Sequence, residues 1–262
     1  MKSLKIFEEV ERDVIDKHFS RREAMTKGLG LGLKAAMMAL PFGLAEALTN
    51  KAKATPPPAS ITDILNFALK LEYLEAKYYT MGLAANGLIP VSDQKIFMQI
   101  SKHETAHVAL LKTTITALSG TPVAEPQFDF TASGTFADVF TNYQTFLALS
   151  NAFEDTGVRA YKGQAGGLMS NGDVLTAALD IHSVEARHAS EVRRLRNIKG
   201  WITNAEANGL PAAIYAGEDN TTQGGVDVKT ITSVPAASIT EAFDETLTMD
   251  QVLAIAGPFI KA

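Results

Sequence analysis

Apolar residues recur at spacings of three and four along the middle of the chain, which is the period of an amphipathic helix. The first such stretch follows Ser60, a residue type that caps helices, and it ends at Asn86-Gly87. The second follows Ser92, another capping residue, and stops at Gly120-Thr121-Pro122. These boundaries predict two long helices joined by a short connection.

A second pair of helices is predicted further along the chain. After a loop rich in proline, threonine, serine and glycine, the third helix runs from about Thr135 to Gln164. The fourth starts at Asn171-Gly172-Asp173 and continues to about Lys199. Four long helices with two short connections and one longer connection predict an all-α fold, namely an antiparallel four-helix bundle.

The segments around these helices suggest where the domain begins and ends. Thr55-Pro56-Pro57-Pro58 is a stiff, extended stretch at the start of the bundle, which we place at residues 55–200. Residues 201–262 contain glycine and threonine clusters and one predicted helix near Thr248–Ile255. We expect this loop-rich C-terminal extension to pack on the bundle and not to form a second domain.

The first 54 residues have a different charge from the rest. They hold ten basic and seven acidic residues, whereas the whole chain has 24 basic and 29 acidic residues. Ser20-Arg21-Arg22 precedes an apolar run from Gly28 to Leu48 and then Ala52-Lys53-Ala54, which is the order of an export leader. The arginine pair resembles the twin-arginine type, so residues 1–54 predict an exported, periplasmic protein. The alternative is an amphipathic helix that remains on a cytoplasmic protein.

Composition narrows the chemistry that the chain can perform. Cysteine is absent from the 262 residues, which excludes disulfides, thiolate zinc sites and iron–sulfur clusters. The net charge of −5 argues against nucleic acid as a partner. No apolar run reaches the about 18–20 residues of a membrane-spanning helix. Any metal ion is therefore expected to be bound by carboxylate and imidazole groups.

The predicted core faces of the helices contain charged residues at regular positions. The apolar seam of the second helix is interrupted by Glu104 and His107, and that of the fourth helix by Glu185 and His188. A buried carboxylate is costly unless it is paired or bound to a cation. Two Glu-x-x-His interruptions of the same kind therefore indicate a cation site.

The first and third helices supply a matching pair of residues. Each has a glutamate followed seven residues later by a tyrosine on the same face, Glu72 with Tyr79 and Glu154 with Tyr161. The distance from the first glutamate to the next Glu-x-x-His is nearly the same in both halves. The chain thus looks like two copies of one helical hairpin. Glu75 also falls in the seam, although the corresponding residue of the second copy is Gly157.

This pattern resembles the ferritin-like superfamily of di-iron and di-manganese carboxylate proteins, in which two helices give one glutamate each and the other two give Glu-x-x-His. The stretches Leu71–Ala76 and Tyr215–Asn220 further resemble the ferritin-like family that includes plant desiccation-related proteins. The resemblance implies two iron or manganese ions. It also implies a role for each ligand: terminal for Glu72 and Glu154, bridging for Glu104 and Glu185, and one nitrogen per metal from His107 and His188.

Several residue roles stay open at this point. Glu75 could be an additional ligand, an alternative to Glu72, or a base beside the metals. Tyr79 and Tyr161 could hydrogen-bond the ligand carboxylates, carry redox equivalents, or be ordinary core residues. Asp155 and Asp180 are candidate acceptors for the outer nitrogens of the ligand histidines. His18 and His182 are expected to be structural or solvent-facing.

Two other classes of protein compete with the di-metal hypothesis. His103-Glu104-Thr105-Ala106-His107 matches the His-Glu-x-x-His motif of zinc peptidases, in which both histidines bind one zinc ion and the glutamate acts as a base. The other alternative is a metal-free structural or stress-associated bundle, whose buried glutamates and histidines satisfy one another.

If metals bind, three activities compete: oxidation of ferrous iron, dismutation or reduction of peroxide, and oxidation of a substrate with oxygen. The C-terminal extension would hinder packing into a storage shell. We therefore favour oxygen or peroxide chemistry without mineral storage, in a chain that could form a homodimer through the bundle.

Overall fold

The structure is a computed structural model, and it describes residues 59–261. The predicted leader, residues 1–54, and His18 within it lie outside the described residues. In the described part, no helix combines the length and the apolar character needed to cross a membrane.

Four long helices build the bundle: α1 (Ile61–Ala84), α2 (Gln94–Ala117), α3 (Tyr143–Gln164) and α4 (Gly172–Leu195). α1 packs along α2, and α3 packs along α4, so each short connection closes a helical hairpin. The two hairpins meet through contacts of α1 with α3 and of α2 with α4. The predicted all-α four-helix fold with a loop-rich C-terminal part is confirmed.

Two of the helix starts follow the predicted caps. The Ser60 side chain accepts a hydrogen bond from the backbone N–H of Asp63, whose carboxylate accepts one in return from the Ser60 backbone. The Asn171 side chain accepts from the N–H of Val174 at the start of α4. The second helix differs slightly, because its cap position is Asp93 and not Ser92.

The third helix is shorter than predicted. It begins at Tyr143, where the Asn142 side chain caps it, and not near Thr135. The preceding residues form successive turns, in which the Asp129 carboxylate accepts hydrogen bonds from the N–H groups of Thr131 and Ser133. Such local bonds from side chain to backbone compete with helix formation. α4 also ends earlier than the predicted Lys199, and a left-handed residue, Asn197, follows it.

The C-terminal extension contains two short helices, α5 (Ala236–Thr240) and α6 (Met249–Ala256). A small hairpin pairs β1 (Thr222–Gln223) with β2 (Val226–Asp227) in antiparallel fashion. Both residues of its turn, Gly224-Gly225, have positive φ angles of 58° and 82°, as a two-residue type I′ hairpin turn requires. Short 3₁₀ segments complete the described chain: Ala165–Leu168, Ala212–Tyr215, Val228–Thr230 and Gly257–Phe259.

The extension packs on the outer side of α3. Every residue from Leu149 to Tyr161 is buried, including polar ones that face away from the bundle axis. Arg159 is the clearest case, because its guanidinium donates to the carbonyl oxygens of Ile214 and Ala216 and pairs with Glu218 at 2.8 Å. The extension therefore supplies the polar partners without which the outer face of α3 could not be buried.

Candidate metal centre

A polar layer crosses the bundle between two apolar clusters. On one side lie aromatic residues such as Tyr78, Phe97 and Phe146, and on the other side aliphatic residues such as Leu65 and Ile181. Between them all four helices turn charged side chains inward. The six residues predicted from the seams are all buried in this layer: Glu72, Glu104, His107, Glu154, Glu185 and His188.

The first half of this layer is arranged around His107. Its Nδ1 atom lies 3.2 Å from an oxygen of Glu72, 3.2 Å from Oε2 of Glu104 and 3.0 Å from Oε1 of Glu185. A single ring nitrogen carries at most one hydrogen, so it cannot donate to three carboxylates at once. The four side chains instead direct ligand atoms into a common space, within 4.8 Å of one another.

The second half repeats this arrangement around His188. Its Nδ1 atom lies 2.9 Å from Oε1 of Glu104, 3.4 Å from Oε2 of Glu154 and 3.5 Å from Oε2 of Glu185. Glu104 and Glu185 thus contribute one oxygen to each half, whereas Glu154 belongs only to this half. The structure therefore brings the six residues together as two groups that share two carboxylates.

The hydrogen bonds of the layer test whether a cation fits it. Several buried atoms lack a hydrogen-bond partner within residues 59–261: Glu104 Oε1, Glu154 Oε2, both carboxylate oxygens of Glu185, and His188 Nδ1. Buried polar atoms without a hydrogen-bond partner destabilise a protein. When several of them converge on one point, however, their lone pairs can bind a metal ion. Carboxylate oxygens with imidazole nitrogen are donors suited to first-row divalent ions. The residues present fit such an ion.

The electrostatics also favour a positive charge at this position. Burial, followed by repulsion from Glu185 and the other carboxylates, raises the pKa of Glu75 well above its usual range. Burial acts to lower the pKa of His107, but the adjacent carboxylates outweigh burial and raise it to about 12. Without a metal, the charge of this layer can be balanced only by protonation, both of the histidines and of carboxylates such as Glu75. A bound cation would relieve the same repulsion.

Each tyrosine of the repeat reaches across to the other hairpin. The hydroxyl of Tyr79 donates to Glu154, and the hydroxyl of Tyr161 donates to Glu72. Burial, with the nearby carboxylates, raises the pKa of both tyrosines well above the usual value. Both are therefore neutral donors that hold the two unshared glutamates. This contact agrees with one of the three roles considered from the sequence.

Glu75 lies beside the layer without joining either group. It is buried, and its Oε1 atom lies 3.3 Å from the position that a Cβ on Gly157 would occupy. The absence of a side chain at position 157 thus leaves the space that Glu75 uses. Of the two acids on this face of α1, Glu72 is the one grouped with His107.

His103 takes a place that the sequence did not predict. Its Nδ1 atom lies 2.8 Å from the outer nitrogen, Nε2, of His188, and the two rings stack. The suggested acceptors have other roles, since Asp155 binds Tyr215 and Arg193, each at 2.7 Å, and Asp180 is exposed. His103 belongs to neither group of ligand atoms, so it does not share a cation with His107 as a zinc peptidase would require.

His182 is partly buried on α4, and its Nε2 atom has no hydrogen-bond partner in the described part of the chain. It lies outside the two groups of ligand atoms. This position agrees with a structural role.

A four-helix bundle in which all four helices direct carboxylates into one central layer, and two of them also direct an imidazole there, defines a ferritin-like architecture. The family model described as the ferritin-like domain matches residues 60–197, which is more than half of the chain. The chain therefore belongs to the ferritin-like domain family. No curated protein matches the chain.

Proposed function

We propose that this chain binds two metal ions, iron or manganese, and uses them for redox chemistry with oxygen or peroxide. The observation that carries the proposal is the pair of four-residue groups sharing Glu104 and Glu185. Each group offers three carboxylates and one imidazole, and this donor set suits iron and manganese, which leave coordination positions open for a small oxidant.

The residues of the layer and of its surroundings would have different roles in holding the ions. Glu72 with His107, and Glu154 with His188, would each hold one ion, and the two shared glutamates would hold both together. When bound, such ions supply electrons to oxygen or peroxide and take them back from a reductant. The tyrosines fix the unshared carboxylates, and the apolar clusters on both sides keep bulk water away.

Metal analysis of purified protein is the first test, and the sharing of ligands makes it specific. We expect about two ions per wild-type chain. Glu104→Ala should remove both ions because its carboxylate contacts both halves, whereas Glu72→Ala should leave about one. Glu191→Ala, an exposed glutamate on α4, is the matched control and should retain both ions. Equal loss in all three variants, or no metal in the wild type, would contradict the proposal.

Turnover assays then separate the candidate activities. Peroxide consumption and oxidation of ferrous iron should be measured on the loaded protein, with Glu104→Ala as the inactive reference. A metal-free structural bundle, the second candidate, would show neither metal nor turnover. One zinc ion per chain that depends on His103 would favour the zinc hydrolase, but the position of His103 on His188 argues against it.

A further inference from the structure

A large apolar cavity lies on the side of α3 that faces the C-terminal extension. Its volume is about 750 Å³, within the range of sites that bind small organic molecules. α3 forms its floor through residues such as Leu149 and Phe153, and its other walls come from residues 132–136, the 209–216 segment, α6 and the 3₁₀ turn after α6. It opens to solvent where Pro211, Ala213 and Ala254 are exposed.

The lining determines what the cavity can bind. Its only polar side chains are those of Thr135 and Gln251, and none of the lining side chains is charged. A charged ligand would lose its hydration there without gaining a partner. A neutral, mostly apolar molecule would instead gain free energy in proportion to the apolar surface that it buries.

A second, much smaller cavity lies between this cavity and the metal centre. It holds about 10 Å³, roughly the space of one water molecule. Phe153 and Ile255 line both cavities, so these two side chains form the partition between them. On its other side the small cavity is lined by Glu75 and Gly157.

The inner side of the small cavity lies next to the ligand layer. A Cβ on Gly157 would lie 3.8 Å from Oε2 of Glu185, one of the two shared carboxylates. Phe153, Ile255 and Glu75 therefore lie in turn between the apolar cavity and the centre. Glu75 is the one ionisable side chain lining the small cavity, and it is buried.

We propose that the large cavity binds a neutral, mostly apolar organic molecule that is the substrate of the metal centre. This inference rests on the proposed function and makes it narrower, because it assigns the oxidising chemistry to an organic substrate. The substrate would approach on the side of Glu75 and Gly157, where the small cavity lies between Phe153 and the ligand layer. The other candidate occupant, an apolar segment of a second protein chain, is an outcome that the experiment distinguishes.

Binding can be measured without any turnover. The probe is N-phenyl-1-naphthylamine, a neutral fluorophore, which would be titrated into the full-length chain and displaced by 1-dodecanol. Ala148→Trp, on the cavity floor, should weaken probe binding at least tenfold. Ala177→Trp, at a similarly half-buried position on α4 away from the cavity, should not change it. Absence of saturable binding, equal binding by both variants, or 1-dodecanol failing to displace the probe would overturn the inference. So would a stable dimer that Ala148→Trp dissociates.

A second measurement links the cavity to the centre. Cobalt(II) would be loaded as a spectroscopic metal, and its visible absorption should change when 1-dodecanol saturates the wild type but not Ala148→Trp. An unchanged spectrum would overturn the claim that the cavity serves the centre. Probe binding should be the same in the metal-deficient Glu104→Ala variant. If the wild type binds no cobalt, the proposed function is refuted instead. Probe binding can still be measured in that case, so the two failures are distinguishable.

Discussion

Tyr161 on α3 donates a hydrogen bond to Glu72 on α1, so a residue of the second hairpin holds a proposed ligand of the first. The reverse contact, from Tyr79 to Glu154, completes an exchange between the hairpins. Each half of the centre therefore depends on both hairpins. The two copies of the repeat cannot form their ligand sets separately, and metal binding is expected to stabilise the packing of one hairpin on the other.

Tyr161→Phe should weaken metal binding in the half formed around His107. The substitution leaves a buried oxygen of Glu72 without its donor, which costs about 1–3 kcal/mol in the metal-free protein. Urea unfolding in the presence of a chelator, together with metal titration, checks both effects. Tyr73→Phe is the matched control, because the Tyr73 hydroxyl makes only a 3.4 Å contact with the Val123 carbonyl. Equal effects of the two substitutions would show that Tyr161 has no special relation to the centre.

Gly157→Ala should disturb the centre through Glu75. The new Cβ would lie 3.3 Å from Glu75 Oε1, closer than most carbon contacts. In an open helical position this substitution would be favourable by up to about 1 kcal/mol, but here we expect crowding to cancel the gain and to lower metal affinity about tenfold. Metal titration checks this prediction.

The control for this change is Gly166→Ala, since the corresponding Cβ would meet no atom within 4 Å beyond its own chain neighbours and local helix backbone. Adding Glu75→Ala to Gly157→Ala should restore the affinity, because it removes the crowded atom. If the double variant binds metal no better than Gly157→Ala alone, crowding against Glu75 is not the cause.

The sequence was most informative where a regular period was interrupted. Glu104 and Glu185 could be recognised because a charged residue occupies a position that the helical period reserves for an apolar one. The same pattern predicts both the four-helix bundle and the ferritin-like family, and the match of the family model confirms the family. The sequence predicts too early a start for α3, because the apolar period continues through residues such as Phe136 and Val139, which lie in turns and pack on the core. The conformation of that segment depends on local hydrogen bonds to the Asp129 carboxylate, and such bonds leave no periodic pattern in the sequence.

Contacts that depend on the rotation of one helix against another could not be predicted. His103 is adjacent in sequence to Glu104 and so points from a different side of α2, and only the packing of α4 brings His188 to it. The apolar cavity is another example, because its walls come from segments that are distant in sequence. In both cases the sequence shows which residue types are present but not which residues contact one another.

His103→Ala should weaken metal binding at the His188 half about ten- to a hundredfold, the usual effect of losing the partner of a ligand histidine. The ring of His103 contacts the outer nitrogen of His188 and so restricts its orientation. Metal titration should show one weakened ion and one unaffected ion. Lys102→Ala, at the exposed neighbouring position, is the control. Loss of all metal in His103→Ala would mean that His103 is itself a ligand, as in the zinc-peptidase hypothesis.

Glu218→Gln should change how stability depends on pH. Burial raises the pKa of Glu218 to about 7, although the Arg159 guanidinium beside it acts to lower it. The folded chain therefore holds this proton more tightly than the unfolded chain, whose glutamate titrates near 4.5. The contribution of this group is fully present below pH 4.5 and is lost as the pH rises towards 7.

Glutamine keeps the shape of the protonated acid and cannot lose a proton. The variant and the wild type should therefore be similar in stability near pH 4.5, and the variant should become more stable by up to about 3 kcal/mol as the pH rises to 7. Urea unfolding with a chelator present, at several pH values, measures this difference, with exposed Glu206→Gln as the control. If the pairing of Arg159 with a charged Glu218 outweighs the cost of burying that charge, the variant will instead lose stability with rising pH. The sign of the difference thus shows whether ion pairing or desolvation dominates where the extension is attached to α3.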